Sequence, residues 1–154
     1  MLITNPESIP VSKMDTIIKK EVLSKTSNKK LIEEILASSG PEYYRIFALT
    51  LASNKNITID QAIEILKNTD YDTALLQALL KNESIDKNEL VNYVFDYVKE
   101  KPLTSHKIYL LYNIAQNMPV KVYEVVKSID ESNVDLDLKS DLRKLKTRLY
   151  QNPV

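Results

Sequence analysis

Residues 58–82 read TIDQAIEILKNTDYDTALLQALLKN, and this stretch predicts two short helices joined by a polar turn. Thr58 followed by Gln61 is typical of a capping box, in which two side chains satisfy free backbone groups at a helix start. Asp70 is expected to cap the second helix. Apolar residues recur at helical spacing on both sides of the turn. The stretch therefore predicts an αα-hairpin.

The same signals recur outward along the chain. Ser12 with Asp15, and Asp86 with Glu89, resemble further capping boxes. Together with the apolar spacing they predict an all-α fold of about nine short helices. Their ranges are 13–24, 28–38, 42–53, 59–67, 71–81, 87–100, 105–117, 120–129 and 136–150.

Glycine occurs once in 154 residues, and cysteine does not occur. Glycine-rich phosphate loops, dinucleotide fingerprints and nucleophile elbows all require several glycines, so the count excludes them. The absence of cysteine excludes disulfides, thiolate zinc sites and a cysteine nucleophile. The single glycine, Gly40, precedes Pro41, a pair typical of one helix ending before the next begins.

Four predicted helices end in an asparagine that follows apolar residues three and seven positions earlier. The asparagines are Asn54, Asn82, Asn117 and Asn152, spaced by 28, 35 and 35 residues. This spacing suits stacked antiparallel αα-hairpins, an α-solenoid-like arrangement. Asparagine also tolerates the left-handed position that ends many helices, so the pattern suits a compact orthogonal helical bundle as well. Both alternatives are all-α.

Residues 1–12 contain two prolines and no apolar period, and they are expected to form an extended N-terminal arm before a single helical domain over residues 13–152. The N-terminus does not resemble a signal peptide, and no apolar run is long enough to cross a membrane. We therefore expect a cytoplasmic protein without membrane contact. The abundance of Lys, Ile, Asn and Tyr, which have AT-rich codons, suggests an AT-rich bacterial, phage or parasite genome.

No residue pattern indicates catalysis, a metal site or a cofactor. His106 is the only histidine, and it lies at a predicted helix start without a companion. The acidic stretch between Asp130 and Asp141 lacks the glycine and the final glutamate of a calcium loop. The stretch instead resembles a polar linker before the last helix. Its carboxylates are stabilised by the partial positive charge at the start of that helix. We expect a protein that is not an enzyme.

The aromatic content provides the first candidate site. Tyrosine is favoured at interfaces because it buries area while keeping a polar tip, although it also edges helical cores. The candidate partner-binding residues are Tyr93, Tyr97, Tyr109, Tyr112 and Tyr123.

Basic residues provide the second candidate site, a patch for an anionic partner made of Lys19, Lys20, Lys144 and Arg148. Lys144 and Arg148 share one face of the last helix, with leucines on another. These cations are also typical of a solvated helix face. Cations near the C-terminal end of a helix are stabilised by the partial negative charge of that end. The net charge is zero and lysines outnumber arginines by 18 to 3, which disfavours sequence-specific nucleic-acid recognition.

These observations favour a non-enzymatic helical module for protein–protein interaction: an adaptor, regulator, inhibitor or assembly factor. The alternative is a nucleic-acid-associated accessory factor that uses the basic helix faces. The sequence does not identify the partner, and it leaves a homo-oligomer open.

Overall fold

The computed structural model describes residues 5–151, and that part of the chain contains nine α-helices and no strand. This confirms the prediction of an all-α fold. The helices are α1 (Thr16–Lys25), α2 (Lys29–Ala37), α3 (Pro41–Ala52), α4 (Ile59–Asn68), α5 (Thr73–Lys81), α6 (Lys87–Lys99), α7 (Ser105–Ala115), α8 (Pro119–Ser128) and α9 (Leu136–Gln151).

One predicted capping box is complete, and at a second predicted helix start the capping side chain accepts the expected hydrogen bonds. The Gln61 backbone N–H donates to Thr58 Oγ1 (3.2 Å), and the Thr58 N–H donates to Gln61 Oε1 (2.9 Å), which completes the capping box. Asp86 Oδ1 accepts from the backbone N–H groups of Asn88 (3.0 Å) and Glu89 (3.2 Å). Both helices begin where a side-chain acceptor satisfies the first free donors.

Two other helix starts differ from the prediction. Asp15 itself caps α1, so the box expected between Ser12 and Asp15 was wrong, and the helix begins three residues later. Asp72, and not Asp70, caps α5 by accepting from the N–H of Leu75 (3.0 Å). Asp70 instead has a left-handed backbone (φ 53°) inside the turn, a conformation that Asp tolerates better than most residues. Local pattern could not distinguish the two aspartates.

The described part of the N-terminal segment contains two short turns, whereas the prediction was an extended arm. Residues Pro6–Ser8 and Val11–Lys13 form single 3₁₀ turns, and Val11 and Met14 are buried. A 3₁₀ turn needs no 3.6-residue apolar period, and side chains three apart lie on the same side of it. Residues 1–4 of the predicted arm lie outside the described residues.

The residues fall into two compact units, with the division between Leu90 and Val91, inside α6. The single domain predicted over residues 13–152 stays a prediction. In the first unit α3 packs against both α1 and α5, while α2 packs against α3 and α4 against α5. Thus α5, the second helix of the hairpin over residues 58–82, lies beside α3, and α3 lies beside α1.

Asn54 closes the turn after α3 with a fully buried side chain. Its Nδ2 donates to the backbone oxygens of Leu23 (2.8 Å) and Thr26 (2.9 Å) at the end of α1. Its Oδ1 accepts from the backbone N–H of Asn56 (2.8 Å). One carboxamide therefore satisfies backbone groups of two successive hairpins.

Asn82 repeats this arrangement one hairpin later. Its Nδ2 donates to the backbone oxygens of Ala52 (2.7 Å) and Asn54 (3.0 Å), and its Oδ1 accepts from the N–H of Ser84 (2.9 Å). Both turns share one spacing. Asn54 donates to the backbone oxygen of Thr26, 28 residues earlier, and Asn82 donates to that of Asn54, again 28 residues earlier.

Thr26 has the corresponding place in the turn after α1. Thr26 is buried, and its Oγ1 accepts from the backbone N–H of Asn28 (3.0 Å). The Oδ1 atoms of Asn54 and Asn82 likewise accept from the backbone N–H two residues later. We call Thr26, Asn54 and Asn82 the rung residues. None of them has a positive φ, so the left-handed cap offered as an alternative does not explain the two asparagines.

The asparagine pattern does not extend unchanged into the second unit, because Asn117 is exposed and Asn152 lies outside the described residues. The apolar positions three and seven residues before the four asparagines are nevertheless all buried. They are Phe47, Leu51, Leu75, Leu79, Leu110, Ile114, Leu145 and Leu149.

The second unit is built on α7, α8 and α9, each of which packs against the other two. Its buried side chains include Leu111 of α7, Val122 and Val126 of α8, and Leu142 of α9. No helix in the described part of the chain is both long and apolar enough to cross a membrane.

Candidate partner-binding site of the second unit

The tyrosines predicted to bind a partner differ in exposure. Tyr109, on the outer face of α7, is 57% exposed. Tyr112, one turn further along the same helix, is half-buried, as are Tyr93, Tyr97 and Tyr123. Tyr109 therefore presents a largely accessible ring, and Tyr112 lies at the edge of the packed interior.

Tyr109 and Tyr112 face α9 across an open groove of about 610 Å³. The helix ends and the α7–α8 connection complete its walls. The lining residues are Tyr109, Tyr112, Ala115, Gln116, Pro119, Leu145, Arg148 and Leu149. We call this the tyrosine groove. Apart from Arg148 its side chains are aromatic, aliphatic or uncharged.

Arg148 lies at one edge of the tyrosine groove, with its guanidinium carbon 5.9 Å from the centre of the Tyr112 ring. A cation near the face of an aromatic ring is attracted by the negative charge of that face. Leu145 and Leu149 are buried and form the aliphatic side of the groove. On α9, Lys144 and Arg148 are exposed, and Arg148 lines the groove beside the two leucines.

A second, shallower depression of about 590 Å³ follows the exposed face of α9. It is lined by Leu136, Lys139, Ser140, Arg143, Lys144, Thr147 and Arg148. We call its four cations, Lys139, Arg143, Lys144 and Arg148, the basic strip. No carboxylate is among the lining residues, and Arg148 borders both this depression and the tyrosine groove.

The other predicted tyrosines have different neighbours. The ammonium group of Lys107 lies 4.8 Å from the ring centre of Tyr97, and that of Lys127 lies 5.1 Å from the ring centre of Tyr123. Neither tyrosine lines the tyrosine groove, nor does Tyr93. The structure therefore brings together two of the five predicted tyrosines and one predicted cation.

The N-terminal part of the predicted anionic-partner patch lies in the first unit. Lys19 is half-buried; its Nζ donates to Ser38 Oγ (3.4 Å) and lies 5.9 Å from the ring centre of Phe47. Lys20 is exposed. The local packing thus already engages Lys19, whereas Lys144 and Arg148 are exposed on α9.

The acidic connection between α8 and α9 has local hydrogen bonds and an ion pair. Asp130 Oδ1 accepts from the backbone N–H of Ser132 (2.9 Å); this bond, a bond from the Ser132 side chain and the charge of Lys101 lower the pKa of Asp130. Glu131 pairs with Lys146 of α9 (3.7 Å). Among the described residues, no group of three or more His, Asp or Glu side chains could hold a metal ion.

Comparisons of the chain with family models, with curated proteins and with solved structures returned no match.

The predicted anionic-partner patch did not include Lys139 and Arg143, which belong to the basic strip, and the sequence did not indicate that the leucines of α9 form one side of a groove. A signal for the first was present, because Lys139 and Arg143 are four apart on the helix that carries Lys144 and Arg148. The groove itself has no local signal, because it forms only where α7 and α9 pack together.

Proposed function

We propose that this protein is a non-enzymatic helical module for protein–protein interaction, and that a partner segment binds in the tyrosine groove. The observation that carries the proposal is an exposed tyrosine beside a concave, largely uncharged groove that has a single arginine at its edge. Roles as an adaptor, regulator, inhibitor or assembly factor, acting in the cytoplasm, all fit such a module.

The composition of the groove supports this proposal. Tyrosine and arginine are enriched among the residues that dominate binding energies, and they act best beside apolar surface that excludes water. Tyr109 can lose exposed area to a partner, while Tyr112 and Leu145 are already held by the packing of α7 on α9. A site whose walls are fixed before binding loses little side-chain entropy on complex formation.

We infer further that the first unit is a short stack of αα-hairpins with a 28-residue period. The supporting observations are the equivalent hydrogen bonds of the rung residues and the packing of α3 on both α1 and α5. In such stacks each hairpin buries its apolar face against its neighbours. The first unit would then serve as a rigid framework next to the binding module in the chain.

A random peptide library displayed on phage contains candidate ligands of widely varied composition, and selection from it tests the proposed groove. We expect peptides that bind the wild-type protein and lose at least about tenfold in affinity with Tyr109→Ala, a typical effect of truncating a central aromatic. The matched control is Tyr150→Ala, because Tyr150 is 75% exposed on α9 and does not line the groove.

Both variants should keep the helicity and the melting temperature of the wild type, since both rings are mainly exposed. If the selected peptides bind Tyr109→Ala as well as they bind the wild type, the tyrosine groove is not the binding site.

The alternative function is that of a nucleic-acid-associated accessory factor, and the basic strip is the observation that favours it. Binding through exposed cations releases counterions and weakens steeply as salt rises. An oligothymidylate of about 20 nucleotides, titrated at about 50 mM and about 200 mM salt, tests this function. A flat salt response, or no binding at low salt, would exclude it.

A further inference from the structure

We propose that the partner of the tyrosine groove is an acidic protein segment, with an apolar side chain seated in the groove and carboxylates lying along the basic strip. This inference rests on the proposed function and adds the chemical class of the ligand. It joins two neighbouring surfaces of the second unit, which share Arg148.

Three of the four cations of the basic strip, Lys139, Arg143 and Lys144, are not neutralised within the described part of the fold. Among the described residues, Lys139, Arg143 and Lys144 form no ion pair, whereas Lys146 on the adjacent flank of α9 pairs with Glu131. The three side chains are held by neither a carboxylate nor a backbone acceptor in the described structure. They therefore remain available for carboxylates of a ligand.

The charge of α9 departs from that of the whole chain. The helix contains five cations against two carboxylates, Asp137 and Asp141, while the complete sequence has 21 of each sign. Neither aspartate lines the depression that contains the basic strip. The local surplus is positive and lies on an exposed face, where it favours the approach of a negative ligand.

The dimensions of the strip define the length of the ligand. Lys139 and Arg148 are nine positions apart, which corresponds to about 14 Å along a helix. An extended segment covers this distance with about four residues. The ligand would therefore carry one apolar anchor for the groove and several acidic residues within one short segment.

The groove favours a protein segment over a nucleic acid. Its aliphatic side, formed by Leu145, Leu149 and Pro119, suits an aliphatic or aromatic side chain. The guanidinium of Arg148 can bind a carboxylate through two parallel hydrogen bonds, at the point where the groove meets the strip. A nucleic acid would use the strip and the exposed face of Tyr109 but would leave the aliphatic side without an occupant.

Peptides are selected on the wild-type protein at low salt and sequenced. The affinity of individual selected peptides for the protein is then measured by fluorescence anisotropy. We expect a pool enriched in Asp and Glu beside one apolar residue. A synthetic copy with Gln and Asn in place of its acids should bind at least about tenfold more weakly, and raising the salt should reduce the difference.

Charge reversal on the strip provides the complementary test. Arg143→Glu combined with Lys144→Glu should weaken binding of the acidic peptide at least about tenfold. Lys30→Glu combined with Lys55→Glu changes the net charge equally at exposed positions of the first unit, and it should leave binding unchanged. Circular dichroism establishes that both double variants are folded.

The outcomes separate this inference from the proposed function. Peptides that depend on Tyr109 but are neutral, or that bind the strip variant normally, overturn the acidic ligand and leave the function standing. A pool that does not depend on Tyr109 overturns both. An oligothymidylate that binds more tightly than every selected peptide at about 200 mM salt assigns the surface to a nucleic acid. A dimer that Tyr109→Ala dissociates assigns it to a second copy, and either result overturns the inference.

Discussion

Single buried side chains connect successive turns of the first unit. The carboxamide of Asn54 bonds three backbone groups at once, and Asn82 does the same one hairpin later. A buried backbone carbonyl that loses its donor is left without a hydrogen bond, and the free-energy cost of removing it from water is then no longer offset. These two positions are therefore sensitive to any substitution that removes the amide.

We predict that Asn54→Ala lowers the free energy of unfolding by about 2–3 kcal/mol, because the backbone oxygens of Leu23 and Thr26 lose their donor. Urea denaturation measures the change. Asn117→Ala is the control, since Asn117 is exposed and its loss should cost less than about 0.5 kcal/mol. Equal effects at the two positions would contradict the assigned role of Asn54.

Asp72 combines a helix cap with an ion pair to Arg45 Nε at 2.6 Å. Partial burial opposes its ionisation, but the hydrogen bonds from Arg45 and from the backbone of Leu75 and Ala74 outweigh burial and lower its pKa. A carboxylate with a lowered pKa in the folded state stabilises the fold at pH values above its unfolded pKa. That contribution is lost as the pH falls through the folded pKa.

We therefore predict that wild type and Asp72→Asn differ in the pH dependence of stability. The variant keeps a side-chain acceptor for the cap but lacks the charge. The wild type should be the more stable of the two near neutral pH, and its advantage should shrink as the pH falls below about 4. Urea denaturation across this range measures it; an advantage that does not change with pH would exclude a role for the ionised carboxylate.

At the scale of elements, the loop between α6 and α7 is held by a side chain from the helix that follows it. Lys107 is only 5% exposed, and its ammonium group donates to the backbone oxygens of Glu100 and Pro102. It also lies near the face of Tyr97. The lysine thus satisfies two backbone carbonyls of the loop that follows α6.

We predict that Lys107→Met destabilises the second unit by about 1–3 kcal/mol, since the aliphatic stem stays packed but two carbonyls lose their donor. Hydrogen exchange over residues 99–103 should become faster. Lys127→Met is the matched control, because it removes an exposed lysine beside the Tyr123 ring and should cost at most about 1 kcal/mol. Unchanged exchange in Lys107→Met would show that the loop is held by other contacts.

At the scale of the whole molecule, the proposed hairpin stack makes a prediction about chain length. If residues 55–82 form one repeat of the stack, a tandem copy inserted after Asn82 should fold, because each repeat contacts mainly its neighbours. The helical signal in circular dichroism should rise in proportion to the insert, and unfolding should stay cooperative.

The control is an insert of the same composition in shuffled order, which should add little helix. An extended protein that aggregates, or that loses the helicity of the original chain, would favour a closed packing of the first unit over a stack.

Several features of the fold and the site could be predicted from local sequence. The capping box of Thr58 and Gln61 lies within four residues, and the apolar stripe of Phe47 and Leu51 lies within one turn, so neither depends on distant parts of the chain. The same holds for the alternation of exposed Lys144 and buried Leu145 on α9. The role of Asn54 could not be predicted, because its hydrogen bonds reach residues 28 and 31 positions away.

The sequence by itself determined an all-α chain of nine short helices within the described residues, because caps and apolar periods act over a few residues. Only the tertiary structure decided which side chains meet. Tyr109 and Arg148 are 39 positions apart and come together because α7 packs on α9, while Tyr97 lies beside Lys107 and Tyr123 beside Lys127. A groove between two helices belongs to neither one alone, and its residues therefore carry no common signal in the sequence.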